Sequence, residues 1–159
     1  MLTVEQLGWD ASTVGELDHR LLTAPHVKLR SLTRGEQGDV VYCVDLRVNR
    51  PNTTYLSTTE AHSFEHFMLE GFQRYVPENF LSVGVMGCQT GFYLVLLNEG
   101  RAQKICSVYE SILNDMLVAK QVPYTSIQQC GNYLNHNLEL AQKIARRVLE
   151  ARSNWLQAV

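Results

Sequence analysis

No stretch of the chain approaches the roughly 18 to 20 consecutive apolar residues that a membrane-spanning helix needs. The first ten residues carry Glu5 and Asp10 where an export signal would have a basic patch followed by an apolar run. The expectation is a soluble cytoplasmic protein with no membrane partner. An excess of positive charge is also missing. Fourteen Lys and Arg against sixteen Asp and Glu leave a formal charge of -2, which offers no basic footprint for nucleic acid. The chain has only four cysteines, Cys43, Cys88, Cys106 and Cys130, and none of the short paired spacings of a zinc ribbon or a disulfide-stapled domain. Reduced thiols are expected, and single cysteines become candidates for ligation or catalysis. Four scattered prolines, no internal period and no low-complexity segment leave no linker, so 159 residues at 45% hydrophobic content imply one domain over 1–159.

The pattern of what is present gives an order of elements. His26 to Leu32 and Asp39 to Val48 alternate Val, Leu and Tyr with polar residues around Gly35 and Gly38, which predicts a hairpin-like strand pair. At Ser57-Thr58-Thr59-Glu60 the spacing is that of a capping box. Phe64, Phe67, Met68, Gly71, Phe72 and Tyr75 then recur at helical steps up to Pro77. Phe80 to Met86 and Phe92 to Leu97 read as strands joined by a glycine-bounded turn, Gly87-Cys88-Gln89-Thr90-Gly91. Arg101 to Lys120 and a segment from about Asn137 carry amphipathic helical periods. The expected fold class is α+β, a largely antiparallel sheet with helices on one face.

The chemistry concentrates in His62-Ser63-Phe64-Glu65-His66. Two imidazoles four residues apart project from one helical face, a geometry that suits two ligands of one metal ion, and Glu65 points to nearly the same side. That side lies roughly opposite the Phe64, Phe67, Gly71 stripe. The same spacing also occurs on ordinary solvated helix faces. A catalytic site of this type takes three protein ligands and keeps a fourth position open. Cys130 is the natural third, in a loop where Gly131 is expected to allow a sharp turn. Two histidines with a cysteine suit Zn(II) or Fe(II). Cys88, on its strand-to-strand turn, is the second reactive candidate. Cys43, mid-strand, and Cys106, within a helix, are expected to act as small buried hydrophobes.

Leu17-Asp18-His19, Ala24-Pro25-His26-Val27-Lys28, Asp45-Leu46-Arg47, Pro51-Asn52, His62 to His66, Met86 to Tyr93, Gln129-Cys130-Gly131 and His136 through Leu138-Glu139 together resemble S-ribosylhomocysteine lyase, the LuxS family of autoinducer-2 synthases. The resemblance implies a homodimeric α+β enzyme that splits S-ribosyl-L-homocysteine into L-homocysteine and 4,5-dihydroxy-2,3-pentanedione, the precursor of a quorum-sensing signal. It also implies one divalent metal per subunit held by His62, His66 and Cys130, natively Fe(II) and often replaced by zinc. Cys88 and Glu65 would be the acid/base pair, with His19 and Arg47 contacting the substrate. Outside the resemblance, His19 could be a helix-end or core histidine, and Arg47 a strand-surface cation paired with Asp45.

The chain departs from the family pattern at Thr13-Val14-Gly15 and at Ser82-Val83-Gly84-Val85. Those positions belong to substrate recognition in the family, while the metal and acid/base positions are intact. Two rival functions follow from the same residues. One is an inverted-motif zinc peptidase, against which the short chain and Cys130 both weigh. The other is a divergent homologue that keeps the metal without turnover or accepts a different thioether.

Overall fold

The computed structural model describes residues 2–159; Met1, the first residue of the expected domain, lies outside them. Four strands, β1 (His26–Arg34), β2 (Val40–Arg47), β3 (Phe80–Val85) and β4 (Gly91–Leu97), form one sheet in the order β1-β2-β4-β3, with every pairing antiparallel. Three helices, α1 (Thr58–Tyr75), α2 (Ala102–Val118) and α3 (Leu138–Glu150), complete the α+β arrangement.

Period-two alternation decides which side of the sheet is dry. Val27 and Leu29 stand opposite Leu46 and Val44, which in turn face Phe92 and Leu94 across the next ladder, and all six are at most 2% exposed. That row joins the helices in one buried cluster: Phe64 of α1 stacks on Phe92 with ring centroids 5.2 Å apart, and Phe72 lies parallel to Phe80 at 6.3 Å. Burial of each such side chain contributes about 1.5–3 kcal/mol relative to leaving it in water.

The start of α1 follows the predicted capping box. Ser57 Oγ accepts the Glu60 N–H at 3.1 Å, and the Glu60 carboxylate accepts the Ser57 N–H at 2.7 Å. The apolar stripe is buried from Phe64 through Phe72, but Tyr75 turns outward and donates its hydroxyl to Asp115 at 2.6 Å. The last residue of the helix has passed the end of the core, and its ring gains more from a carboxylate at the surface than from an apolar wall. Gly71 is the point of closest approach between α1 and α2: a Cβ there would stand 2.5 Å from Ile112 Cγ1.

From residue 119 to residue 137 the chain forms neither helix nor strand. It is tied at both ends. Gln142 of α3 donates to the carbonyls of Met116, Leu117 and Ala119 at the end of α2, and Asn137 caps α3 by accepting the Leu140 N–H at 3.0 Å. This long loop lies against α1, and the site is built there.

Candidate metal and acid–base site

On α1, His62 and His66 are one turn apart with ring centroids at 4.6 Å. The loop supplies Cys130, whose Sγ lies 3.4 Å from His62 Nε2 and 3.8 Å from His66 Nε2. The structure therefore brings the three sequence-predicted ligands together. It adds a fourth donor that the sequence reading quoted without giving it a role: His136 Nε2 is 3.5 Å from the same sulfur. The four donor atoms of His62, His66, Cys130 and His136 all lie within 4.8 Å of one another.

Each ring is oriented from behind through Nδ1. His62 meets the Asn135 carbonyl at 3.1 Å, His66 the Pro123 carbonyl at 2.8 Å, and His136 the Ser63 hydroxyl at 3.4 Å. A backbone carbonyl can only accept, so His62 and His66 carry the proton on Nδ1 and present a bare Nε2 lone pair to the cluster, the form that ligates metal. Cys130 is 9% exposed, and its sulfur receives the Asn132 N–H at 3.4 Å. Burial above all pushes His136 down to about 4, so it too is a neutral imidazole at physiological pH. The donor set fits a borderline-soft divalent cation.

Gly131 differs from expectation. Its backbone is not left-handed and the space where a Cβ would stand is open, so the loop does not depend on glycine there. His66 is 6% exposed, and the loop through Pro123 and Cys130 folds over it.

Glu65 lies at the margin of the cluster, its Oε2 3.9 Å from His66 Nε2. Burial holds its carboxyl above the ordinary carboxylate range, opposed in part by His62. A carboxyl tuned upward in this way holds a proton more readily than an ordinary one, which suits it to acid–base exchange. Glu65 and His62 line a cavity of about 360 Å³ together with Ala61, Val85, Gln89 and Asn135.

Cys88 is exposed on the turn between β3 and β4, as its glycine-bounded motif predicted. The turn is pinned beneath β2: Gly91 passes so close to Leu46 that a Cβ would stand 2.5 Å from its carbonyl oxygen. Arg47, at the end of β2, is 2% exposed and is not the Asp45-paired surface cation of the alternative reading. Asp45 pairs instead with Lys28, its register partner on β1, at 3.5 Å. The freed guanidinium turns to the thiol: Nη1 donates to Thr90 Oγ1 at 2.7 Å and lies 3.8 Å from Cys88 Sγ. Arginine has only donors, so the Thr90 hydroxyl accepts from Arg47 and keeps its own hydrogen free for a Cys88 thiolate, whose Sγ is 3.0 Å away. Partial burial on its own would raise the Cys88 thiol. The Thr90 contacts and the Arg47 charge outweigh it and hold the thiol below the ordinary cysteine range.

The remaining thiols behave differently. Burial pushes Cys106 up to about 11 and also raises Cys43, which is half-buried on the sheet. His19 is exposed, its Nδ1 near the Leu17 carbonyl at 3.0 Å, and no hydrogen bond joins it to the cluster among the described residues. Of the two segments that depart from the family pattern, one contributes Val85 to the cavity wall. The other places Gly15 at a left-handed φ of +94°, where its carbonyl accepts from Lys28.

Comparison with known proteins gives a consistent result. The S-ribosylhomocysteinase (LuxS) family model matches residues 14–159. A protein of Dichelobacter nodosus described as S-ribosylhomocysteine lyase is 43% identical over 141 residues, covering 89% of this chain and 91% of its own. One of Halobacillus halophilus with the same description is 40% identical, covering 89% and 92%. One of Helicobacter pylori is 38% identical over 139 residues, covering 87% and 89%.

Proposed function

This chain belongs to the LuxS family of S-ribosylhomocysteine lyases, and from that premise we propose that it is a carbon–sulfur lyase cleaving S-ribosyl-L-homocysteine to L-homocysteine and 4,5-dihydroxy-2,3-pentanedione. The observation that carries the reading is the convergence of His62, His66 and Cys130 beside Glu65.

The residues that would hold one divalent metal are His62, His66 and Cys130, with Fe(II) the assigned ion and Zn(II) able to occupy the same donors. Such a cation supplies Lewis-acid polarisation of sugar oxygens, which acidifies the adjacent C–H. The proton transfers then fall to this chain's own groups. The Cys88 thiolate, kept available by Thr90 and Arg47, removes a proton from the carbon next to the carbonyl and returns it to the neighbouring carbon. Two such transfers walk the carbonyl from C1 to C2 to C3. With the carbonyl at C3, deprotonation at C4 expels the homocysteine thiolate from C5. Glu65 relays protons between the sugar oxygens, for which its raised carboxyl is suited. The redox change is internal to the sugar, so the balance needs no nicotinamide.

His19 and Arg47 are assigned to substrate binding, Arg47 in addition to its hold on Cys88. One domain over 1–159, a cytoplasmic setting with four free thiols, and a homodimer complete the reading. Exposed Val85, Tyr133 and Leu134, on segments that also contribute to the cavity wall, support a second copy as cover on that side. A thiolate donor is foreign to the carboxylate-ligated peptidases, which leaves that rival without support. Release of free homocysteine thiol from S-ribosylhomocysteine tests the assignment. Release dependent on Cys88 upholds it; a metal-loaded protein that binds the substrate and releases no thiol overturns it in favour of a homologue without turnover.

A further inference from the structure

We propose that Lys28 is a positioning residue for Cys88: by holding Asp45 on the β1 side of the sheet, it leaves Arg47 free to serve Thr90 and the thiol. The proposal rests on the reading of Cys88 as the reactive thiol and extends it to a residue of the neighbouring strand pair. Lys28, Asp45 and Arg47 stand on the face of the sheet opposite the core, since Val27, Val44 and Leu46 alternate with them and face inward. All three are nevertheless at most 3% exposed. Two cations and one carboxylate are thus buried together, and the carboxylate can be given to either cation.

Asp45 and Arg47 are neighbours on one face of β2, and each keeps a buried atom without a partner among the described residues: the acceptor Oδ1 of Asp45 and the donor Nε of Arg47. An ion pair between them needs only a turn of the two side chains, and it is the pairing that the sequence alone left open. Lys28 stands against it, its ammonium 3.5 Å from Asp45 Oδ2 and donating to the Gly15 carbonyl. The other titratable groups on this face do not replace it. Arg30 is taken by Glu16 at 2.9 Å and lies 5.1 Å over the Tyr93 ring. His26, the register partner of Arg47, donates Nδ1–H to the Thr23 carbonyl, and burial keeps it neutral at physiological pH. Cys43, two residues before Asp45, is kept a neutral thiol first by burial. Without Lys28 the buried carboxylate is uncompensated, and a buried charge left unpaired is costly enough to draw Arg47 to it. The guanidinium then gives up Thr90 at 2.7 Å and Cys88 at 3.8 Å.

The test is a cycle of variants of the full-length protein, Lys28→Met, Arg47→Met and the two combined, read by the rate of iodoacetamide capture at Cys88 across a pH series. Withdrawing the guanidinium from an exposed thiol costs about fivefold in thiolate, and Lys28→Met should lose a similar factor below the titration midpoint. Adding Lys28→Met to Arg47→Met should change nothing further, because Lys28 acts only through the guanidinium. A direct charge effect, or a general loosening of the fold, would slow capture by the same factor in both backgrounds. Asp45→Asn added to Lys28→Met should restore the wild-type rate, since a neutral amide does not draw Arg47 away. An unchanged rate in Lys28→Met, equal slowing with and without Arg47, or no restoration by Asp45→Asn each overturns the proposal. If Lys28→Met does not fold, Lys28→Gln takes its place in the cycle; if that variant fails as well, the pair is structural and the proposal falls. Capture at Cys88 needs no substrate, so a protein that releases no homocysteine would sink the lyase assignment and leave this one standing.

Discussion

Replacing Arg47 by Met should make Cys88 a poorer thiolate while leaving the metal centre untouched. The guanidinium Nη1 lies 3.8 Å from Cys88 Sγ. Because Cys88 is exposed, water's dielectric sets the scale, and two unit charges at that separation interact by about 1 kcal/mol. At 1.4 kcal/mol per factor of ten, that is about a fivefold smaller thiolate population at any pH below the titration midpoint. The same guanidinium also orients the Thr90 hydroxyl, so fivefold is the lower end of the expected effect. The assay is the initial rate of iodoacetamide capture at Cys88, followed by mass spectrometry of its peptide across a pH series. The other thiols serve as internal references: Cys106, buried and pushed up to about 11, should react slowly in both proteins. Arg47→Lys should fall between wild type and Arg47→Met, since lysine keeps the charge and loses the fork. The gap between wild type and Arg47→Met should narrow in high salt, because ions reach the exposed Cys88 thiolate and screen it. An unchanged capture rate in Arg47→Met, with a slower one in Thr90→Val, would show that Thr90 alone sets the thiol.

Cys130→Ala should lose most of its metal by elemental analysis, while Cys88→Ala keeps a wild-type content and loses on the order of 10²- to 10⁴-fold in turnover, the usual cost of a missing acid/base group. Gly71→Ala should destabilise by about 1–3 kcal/mol, because its Cβ meets three atoms of the stiff, buried Ile112 side chain. At this chain length each kcal/mol is a fall of roughly 2–4 °C in Tm by calorimetry. His26 is fully buried with Nε2 unpaired, and burial first, then the charges of Arg47 and Lys28, push it down to about 4 from an ordinary 6.5. Its folded value is depressed, so between those two values the unfolded chain binds more protons and stability falls as pH drops, by up to about 3 kcal/mol. Urea midpoints measured over that range should show the loss, and His26→Gln should flatten it.

What could be read in advance was what the chain encodes locally. The capping box at Ser57 and Glu60, the alternation of β2 and β4, the helix starting from about Asn137 and the i, i+4 histidines each depend on residues within a few positions, and each stands where the sequence places it. The hidden parts need pairings across the fold. Arg47 reaches Cys88 only because β2 and β4 pair Arg47 with Gly91, which sets Thr90 between them, and nothing in Asp45-Leu46-Arg47 announces that register. His136 carried a weak signal, a histidine six residues beyond a ligand cysteine and just ahead of a helix cap. Its turn toward Cys130 depends on how the loop lies over α1. Tyr75 kept the helical period beyond the point where the core ends, which periodicity alone cannot register.

The loop from residue 119 to residue 137 owes its shape to its anchors rather than to any helix or strand of its own. A metal shared between α1 and Cys130 would join positions 68 residues apart. In a reducing compartment a disulfide does not persist. A thiolate–metal–imidazole clip can take its place as a cross-link, with the difference that it can be opened by a chelator and closed again. Loading the ion would thus be coupled to ordering the loop. The same event that equips the protein for chemistry would fasten its least regular segment, and a chain stripped of metal would be open to proteases there first.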